Sequence, residues 1–124
     1  MIVRKLVLGA TMLAFLSSAA LAAADAKKGQ EDFARCAICH TVAKGGGNGL
    51  GPDLFGVVGR KAASLPNFYY SQALKSSGIT WTPDKLDAWI KSPATLVPGN
   101  RMAFAGIAQA GERADIVAYL ASLK

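Results

Sequence analysis

Hydrophobic positions along the chain change period several times, and each change marks an element. Behind Arg4 and Lys5, residues 6–16 form a near-continuous apolar run, and small residues follow it. Both Ala20-Leu21-Ala22 and Ala22-Ala23-Ala24 fit an A-x-A cleavage rule, so residues 1–24 read as a cleavable secretory signal peptide. The competing reading, a retained membrane anchor, is weakened because a spanning helix needs ~20 apolar residues. From Asp25 the period becomes helical. Gly29, Phe33 and Cys36 share one face of a helix expected over 25–36, with Asp25 as its cap.

Residues 44–52 hold five glycines and a proline, so they form a loop. No strand precedes them and no Lys-Ser/Thr pair closes them, which argues against a phosphate-binding loop. Residues 53–66 have no strong period. A short helix is expected near 71–76, ending at Gly78. Thr82-Pro83-Asp84 opens the clearest helix, with Leu86, Trp89 and Ile90 as its apolar face and Pro93 as its stop. Residues 97–104 carry almost no helix or strand signal. Gly111 is expected to precede a last helix over 112–124, whose buried stripe is Ile116, Tyr119, Leu120 and Leu123. That stripe is the natural partner for the Gly29/Phe33 face, because a helix keeps a glycine, at ~1 kcal/mol against alanine, where another backbone approaches.

Cleavage after Ala24 would leave one domain of ordinary size, residues 25–124. Arg4 and Lys5 would leave with the signal, taking the formal charge from +6 to +4. No basic stripe interleaved with aromatics is present, which speaks against nucleic-acid binding. A mildly positive surface suits an acidic protein partner.

The chemistry sits in Cys36-Ala37-Ile38-Cys39-His40. Two thiols two residues apart, followed at once by histidine, is the attachment pattern for haem c, with His40 carried under the iron. A thioredoxin-like pair would need a βαβ scaffold, and structural zinc would need four ligands. The chain has two cysteines and one histidine, all in this motif. A plain disulfide would not need the histidine. With no second histidine, the sixth iron ligand falls to a methionine. Of Met1, Met12 and Met102, only Met102 lies outside the signal. Carbonyls of the 44–52 loop can accept the proton on the other His40 nitrogen. Arg60 is a candidate for bidentate contact with a haem propionate, and Tyr70 and Trp81 are further donors.

These stretches together resemble class I cytochrome c, close to the mitochondrial and bacterial cytochrome c2 types. The resemblance rests on Cys-Ala-Ile-Cys-His-Thr-Val at 36–42, Gly-Pro-Asp-Leu-Phe-Gly-Val-Val-Gly-Arg-Lys at 51–61 and Gly-Ile-Thr-Trp at 78–81. It continues through Pro-Gly-Asn-Arg-Met-Ala-Phe-Ala-Gly-Ile at 98–107 and Asp-Ile-Val-Ala-Tyr-Leu at 115–120. It implies an all-α cytochrome c fold, with crossed terminal helices and short helices and loops around one covalent haem c. It also implies attachment at Cys36 and Cys39, axial iron ligands His40 and Met102, a Pro52 carbonyl orienting His40, and a propionate held by Arg60, Tyr70 and Trp81. Trp89 stands where the family often has a tyrosine bonded to the methionine sulfur, and Asn100 replaces a threonine. Both departures are expected to loosen the methionine. The family's basic ring is thinned to Arg35, Lys44 and Arg101, with Ala94, Ala108 and Gln109 at other ring positions.

The reading that follows is a monomeric, non-enzymatic periplasmic electron carrier. Its iron cycles between two oxidation states among acidic redox partners, such as a terminal oxidase, a quinol-oxidising complex or a periplasmic dehydrogenase. With the signal removed, no stable membrane insertion is expected. The alternatives are a subunit dedicated to a periplasmic dehydrogenase, and a haem enzyme or gas sensor in which Met102 leaves the iron.

Overall fold

Asp25 caps the first helix as the sequence suggests, its carboxylate accepting from the main-chain N–H of Lys27 and Lys28. A computed structural model describes residues 24–124; the expected signal peptide, apart from Ala24, lies outside the described residues. The helix that Asp25 caps, α1 (Ala26–Asp32), is shorter than expected. It tightens into a 3-10 turn, Phe33–Arg35, because the N–H groups of Cys36 and Ala37 both bond the Phe33 carbonyl. Looser turns then carry the chain round to His40, so the attachment motif itself is not helical.

The remaining helices are α2 (Gln72–Lys75), α3 (Pro83–Lys91), α4 (Pro93–Leu96) and α5 (Ala110–Ser122). Ser71 caps α2 and Thr82 caps α3, each through a side-chain oxygen accepting a main-chain N–H. Pro93 ends α3 as expected but also opens α4, where Ser92 Oγ accepts from Thr95 N–H. The last helix begins at Ala110 rather than Glu112, so Gly111 lies inside its first turn, and it ends at Ser122. Gly111 has open space where a Cβ would point. No strand forms among the described residues; one antiparallel bridge pairs Lys61 with Thr80.

Helices α1 and α5 cross at Gly29. A Cβ built there would lie 1.9 Å from the Asp115 carbonyl oxygen, so the two backbones touch with no side chain between them. One turn along, Phe33 meets Tyr119 edge-on, with ring centroids 5.4 Å apart. Such a pair adds ~0.5–1.5 kcal/mol beyond its burial. Phe33, Leu86, Ile90, Ile107, Ile116 and Leu120 form the centre of the core. On the far side of α5, Arg113 is buried. It donates to Asp87 Oδ1 at 2.8 Å and to the carbonyls of Ile107 and Ala108 at 2.9 and 2.8 Å, tying α3 and the end of the 97–109 segment to α5. No described helix is long and apolar enough to cross a membrane.

Candidate haem site

The short helices enclose one large cavity of about 450 Å³. Cys36, Cys39 and His40 line one part of it and Met102 another, so residues 62 or more positions apart in the chain share one space. Its walls are mostly apolar, with Leu54, Val57, Leu74 and Phe104 among them. Arg60, Tyr70 and Trp81 line the same cavity and supply its donors. Every residue expected to attach, ligate or hold the cofactor is therefore at this cavity.

His40 is set by its surroundings. Its Nδ1 lies 2.8 Å from the Pro52 carbonyl oxygen. A carbonyl can only accept, so Nδ1 carries the proton and Nε2 keeps a free lone pair. Burial, above all, lowers the tendency of the ring to protonate, the charge of Arg60 adds to this, and the Pro52 carbonyl opposes it. The result is a neutral imidazole with one nitrogen available to a metal. Gly51 packs flat against this ring: a Cβ there would sit 2.5 Å from Cε1 and 2.8 Å from Nδ1. Glycine at 51 is thus part of the cradle, which the sequence showed only as loop composition.

Both thiols are free. Burial raises the Cys36 thiol's affinity for its proton, with Cys39 adding and Arg35 opposing. Among the described residues no three His, Cys, Asp or Glu side chains gather as a metal site, which leaves the zinc reading without support. Two free thiols, one oriented imidazole and one thioether around a mostly apolar cavity are the donor set a covalent haem requires, so the residues present fit that group.

The polar end differs in detail from expectation. Arg60 donates from Nη2 to the Asp53 carbonyl at 2.8 Å and from Nη1 to the Phe55 carbonyl at 3.3 Å. Part of its fork is thus spent on the backbone, leaving three of five N–H groups for a propionate. Tyr70 Oη accepts from Leu65 N–H at 3.4 Å, which leaves its own hydrogen to donate. Trp81 packs against Trp89 with centroids 5.3 Å apart.

Two residues beside Met102 make contacts that the sequence did not show. Asn100 Oδ1 accepts from Met102 N–H at 2.8 Å, and its Nδ2 donates to the Val97 carbonyl at 2.9 Å. This Asx turn braces the main chain that carries the sulfur. Arg101, expected as a docking residue, is exposed and also makes contacts within the chain. Its Nη2 donates to the Tyr70 carbonyl at 3.1 Å, and its guanidinium lies 4.8 Å from the centre of the exposed Tyr69 ring. Arg35 is likewise engaged, in an ion pair with Glu112 of α5. Lys44 alone of the three is exposed with neither an ion pair nor a side-chain hydrogen bond among the described residues, since Arg101 is exposed too but bonds the Tyr70 carbonyl. The exposed Ile38 and Leu50 complete the surface near the attachment turn.

Comparison with known proteins agrees with this geometry. Residues 26–124 match the cytochrome c family model. Cytochrome c2 of Rhodomicrobium vannielii is 44% identical over 106 residues, covering 86% of this chain and 85% of that protein. Cytochrome c2 of Blastochloris viridis is 41% identical over 117 residues, covering 94% of this chain and 91% of that one. Among solved structures, cytochrome cH from Methylobacterium extorquens superposes with a TM-score of 0.75 at 42% identity, over 79% of this chain and 98% of the other.

Proposed function

The chain belongs to the cytochrome c family, whose members carry haem c and transfer electrons, and from that premise we propose a periplasmic carrier whose iron would be held by two of its own side chains, His40 and Met102. Cys36 and Cys39 would attach the group, and His40 Nε2 and the Met102 sulfur would hold the metal. Arg60, Tyr70 and Trp81 face the propionates. When bound, haem c supplies a one-electron iron couple, and a methionine opposite histidine raises its potential.

The residues explain how that couple would be kept reversible. Pro52 holds the imidazole in one tautomer, and Gly51 leaves space for the ring that any side chain would take. The Asn100 side-chain oxygen accepts from the Met102 main-chain N–H and so braces the residue that carries the sulfur. Apolar walls exclude water, which disfavours the extra positive charge of the oxidised state. With no position left for a substrate, the chain transfers electrons without acting as an enzyme. The single observation that carries this reading is that Cys36, Cys39, His40 and Met102 line one cavity.

The test is the visible spectrum of exported, haem-loaded protein, oxidised and reduced, with carbon monoxide added to the reduced form. Low-spin bands unmoved by the gas support the carrier. Bands that shift would put the haem enzyme or gas sensor in its place.

The partner is proposed to be an acidic redox protein, met at the surface around Lys44, Ile38 and Leu50, with Arg35 contributing what its pairing with Glu112 leaves. Because exposed charges are screened within ~10 Å at 0.1 M salt, association with such a partner slows as salt rises, in stopped-flow electron transfer. The engagement of Arg35 and Arg101 in internal contacts favours a second reading, a subunit dedicated to a periplasmic dehydrogenase. Salt-independent kinetics, with the haem eluting in a larger complex from native extract, would select it.

A further inference from the structure

Asp115 is a buried acid on α5, 8% exposed, at the point where α1 crosses. Its carboxylate makes one hydrogen bond among the described residues, Oδ1 accepting from the main-chain N–H of Asp25 at 2.8 Å. It takes part in none of the ion pairs among those residues. Lys28 is the nearby cation, but its ammonium is 3.1 Å from Asp32 Oδ2 and its side chain is 57% exposed. A buried ionised carboxylate held by one neutral N–H is poorly compensated, and such groups normally have a cation.

The nitrogen of Asp25 can become that cation. It is amide nitrogen only while Ala24 precedes it. Both residues are exposed, so the bond between them is accessible. Ala22-Ala23-Ala24 satisfies the small-residue rule for cleavage at that bond, but Ala20-Leu21-Ala22 satisfies it equally two residues earlier. We propose that processing occurs between Ala24 and Asp25, and that the α-ammonium it creates is the missing partner of Asp115. This rests on residues 1–24 being an export leader.

In the cleavage, catalysed by an endopeptidase of the export machinery, water adds its hydroxyl to the Ala24 carbonyl carbon and the C–N bond breaks. The departing nitrogen takes the hydrogen from water. At neutral pH it gains a solvent proton, since a free α-amino group has a pKa of ~7.7–8.0. No rearrangement is needed. The separation of 2.8 Å already lies in the range of an ammonium–carboxylate bond. The Asp25 side chain, bonded to the N–H groups of Lys27 and Lys28, holds the residue in place from the other side. Removing the leader thus completes the clasp between α1 and α5. A chain starting at Ala23 keeps the neutral amide.

The experiment is intact mass and N-terminal sequencing of the full chain after export and haem attachment. A mature chain starting at Asp25 supports the proposal. A start at Ala23 overturns it and leaves the export reading standing, whereas retention of Met1 and the whole leader overturns both. The ion pair is read separately, by comparing Asp115→Asn in the Asp25-start protein and in one whose leader is altered to leave Ala23-Ala24 in place. The thermal midpoint is expected to fall further in the Asp25-start protein. Equal falls would overturn the ion pair.

Discussion

Met102→Leu in the haem-loaded protein binds carbon monoxide in the reduced state, while the parent protein does not. Leucine nearly conserves the volume of methionine, and such swaps usually cost less than ~1.5 kcal/mol, so the fold survives. What is lost is the sulfur, and the described chain holds no second histidine or methionine to replace it. The ligand field falls to histidine alone or histidine with water. Axial ligands command a span of ~0.8 V in haem potential, and a drop of about a quarter of it or more is expected. Carbon monoxide difference spectra and potentiometry check both. A variant that stays closed to the gas with its potential unchanged would remove Met102 from the iron. The Asx turn from Asn100 should survive in this variant, because it bonds the main chain at 102 and not the side chain.

Gly29→Ala destabilises the protein, against its helix propensity. In an isolated helix this change gains ~1 kcal/mol. Here the new Cβ would come within 1.9 Å of the Asp115 carbonyl oxygen and 2.4 Å of its carbon. These are backbone atoms of the middle of α5 and cannot swing aside as a side-chain tip could. Overpacking of a core costs ~1–3 kcal/mol and occasionally more. A contact this short belongs at the top of that range, so clash outweighs propensity by about 2 kcal/mol or more. Denaturant unfolding of the haem-loaded protein measures it. A stabilised variant would mean that α1 and α5 can part at little cost, which the Phe33–Tyr119 contact one turn away argues against.

The cap signals that worked were short ones. Thr82-Pro83 and Asp25 acted as read, and Ser92-Pro93 carries the same cap-plus-proline signal, although Pro93 was expected only to stop a helix. Asn100, two residues before Met102, likewise matches a known turn pattern. The expected helix through 36 failed for a different reason: the 3-10 tightening after Phe33 brings the attachment turn to the cavity, and no residue type in 33–35 demands it.

The sequence by itself determined the chemistry. Thioether attachment needs two thiols and a histidine at fixed local spacing, and a chain with one histidine outside no other motif leaves few choices for the second axial position. It also determined where α1 and α3 start, since the caps Asp25 and Thr82 act over three or four residues. Only the tertiary structure decided which charges are free. Arg35 meets Glu112 across 77 positions, Arg101 reaches the Tyr70 carbonyl across 31, and Asp25 reaches Asp115 across 90. It alone showed that Gly51 makes room for an imidazole and Gly29 for a carbonyl. Spacing along a chain limits what nearby residues can do together, but the neighbours of a side chain in space are set by how the helices cross.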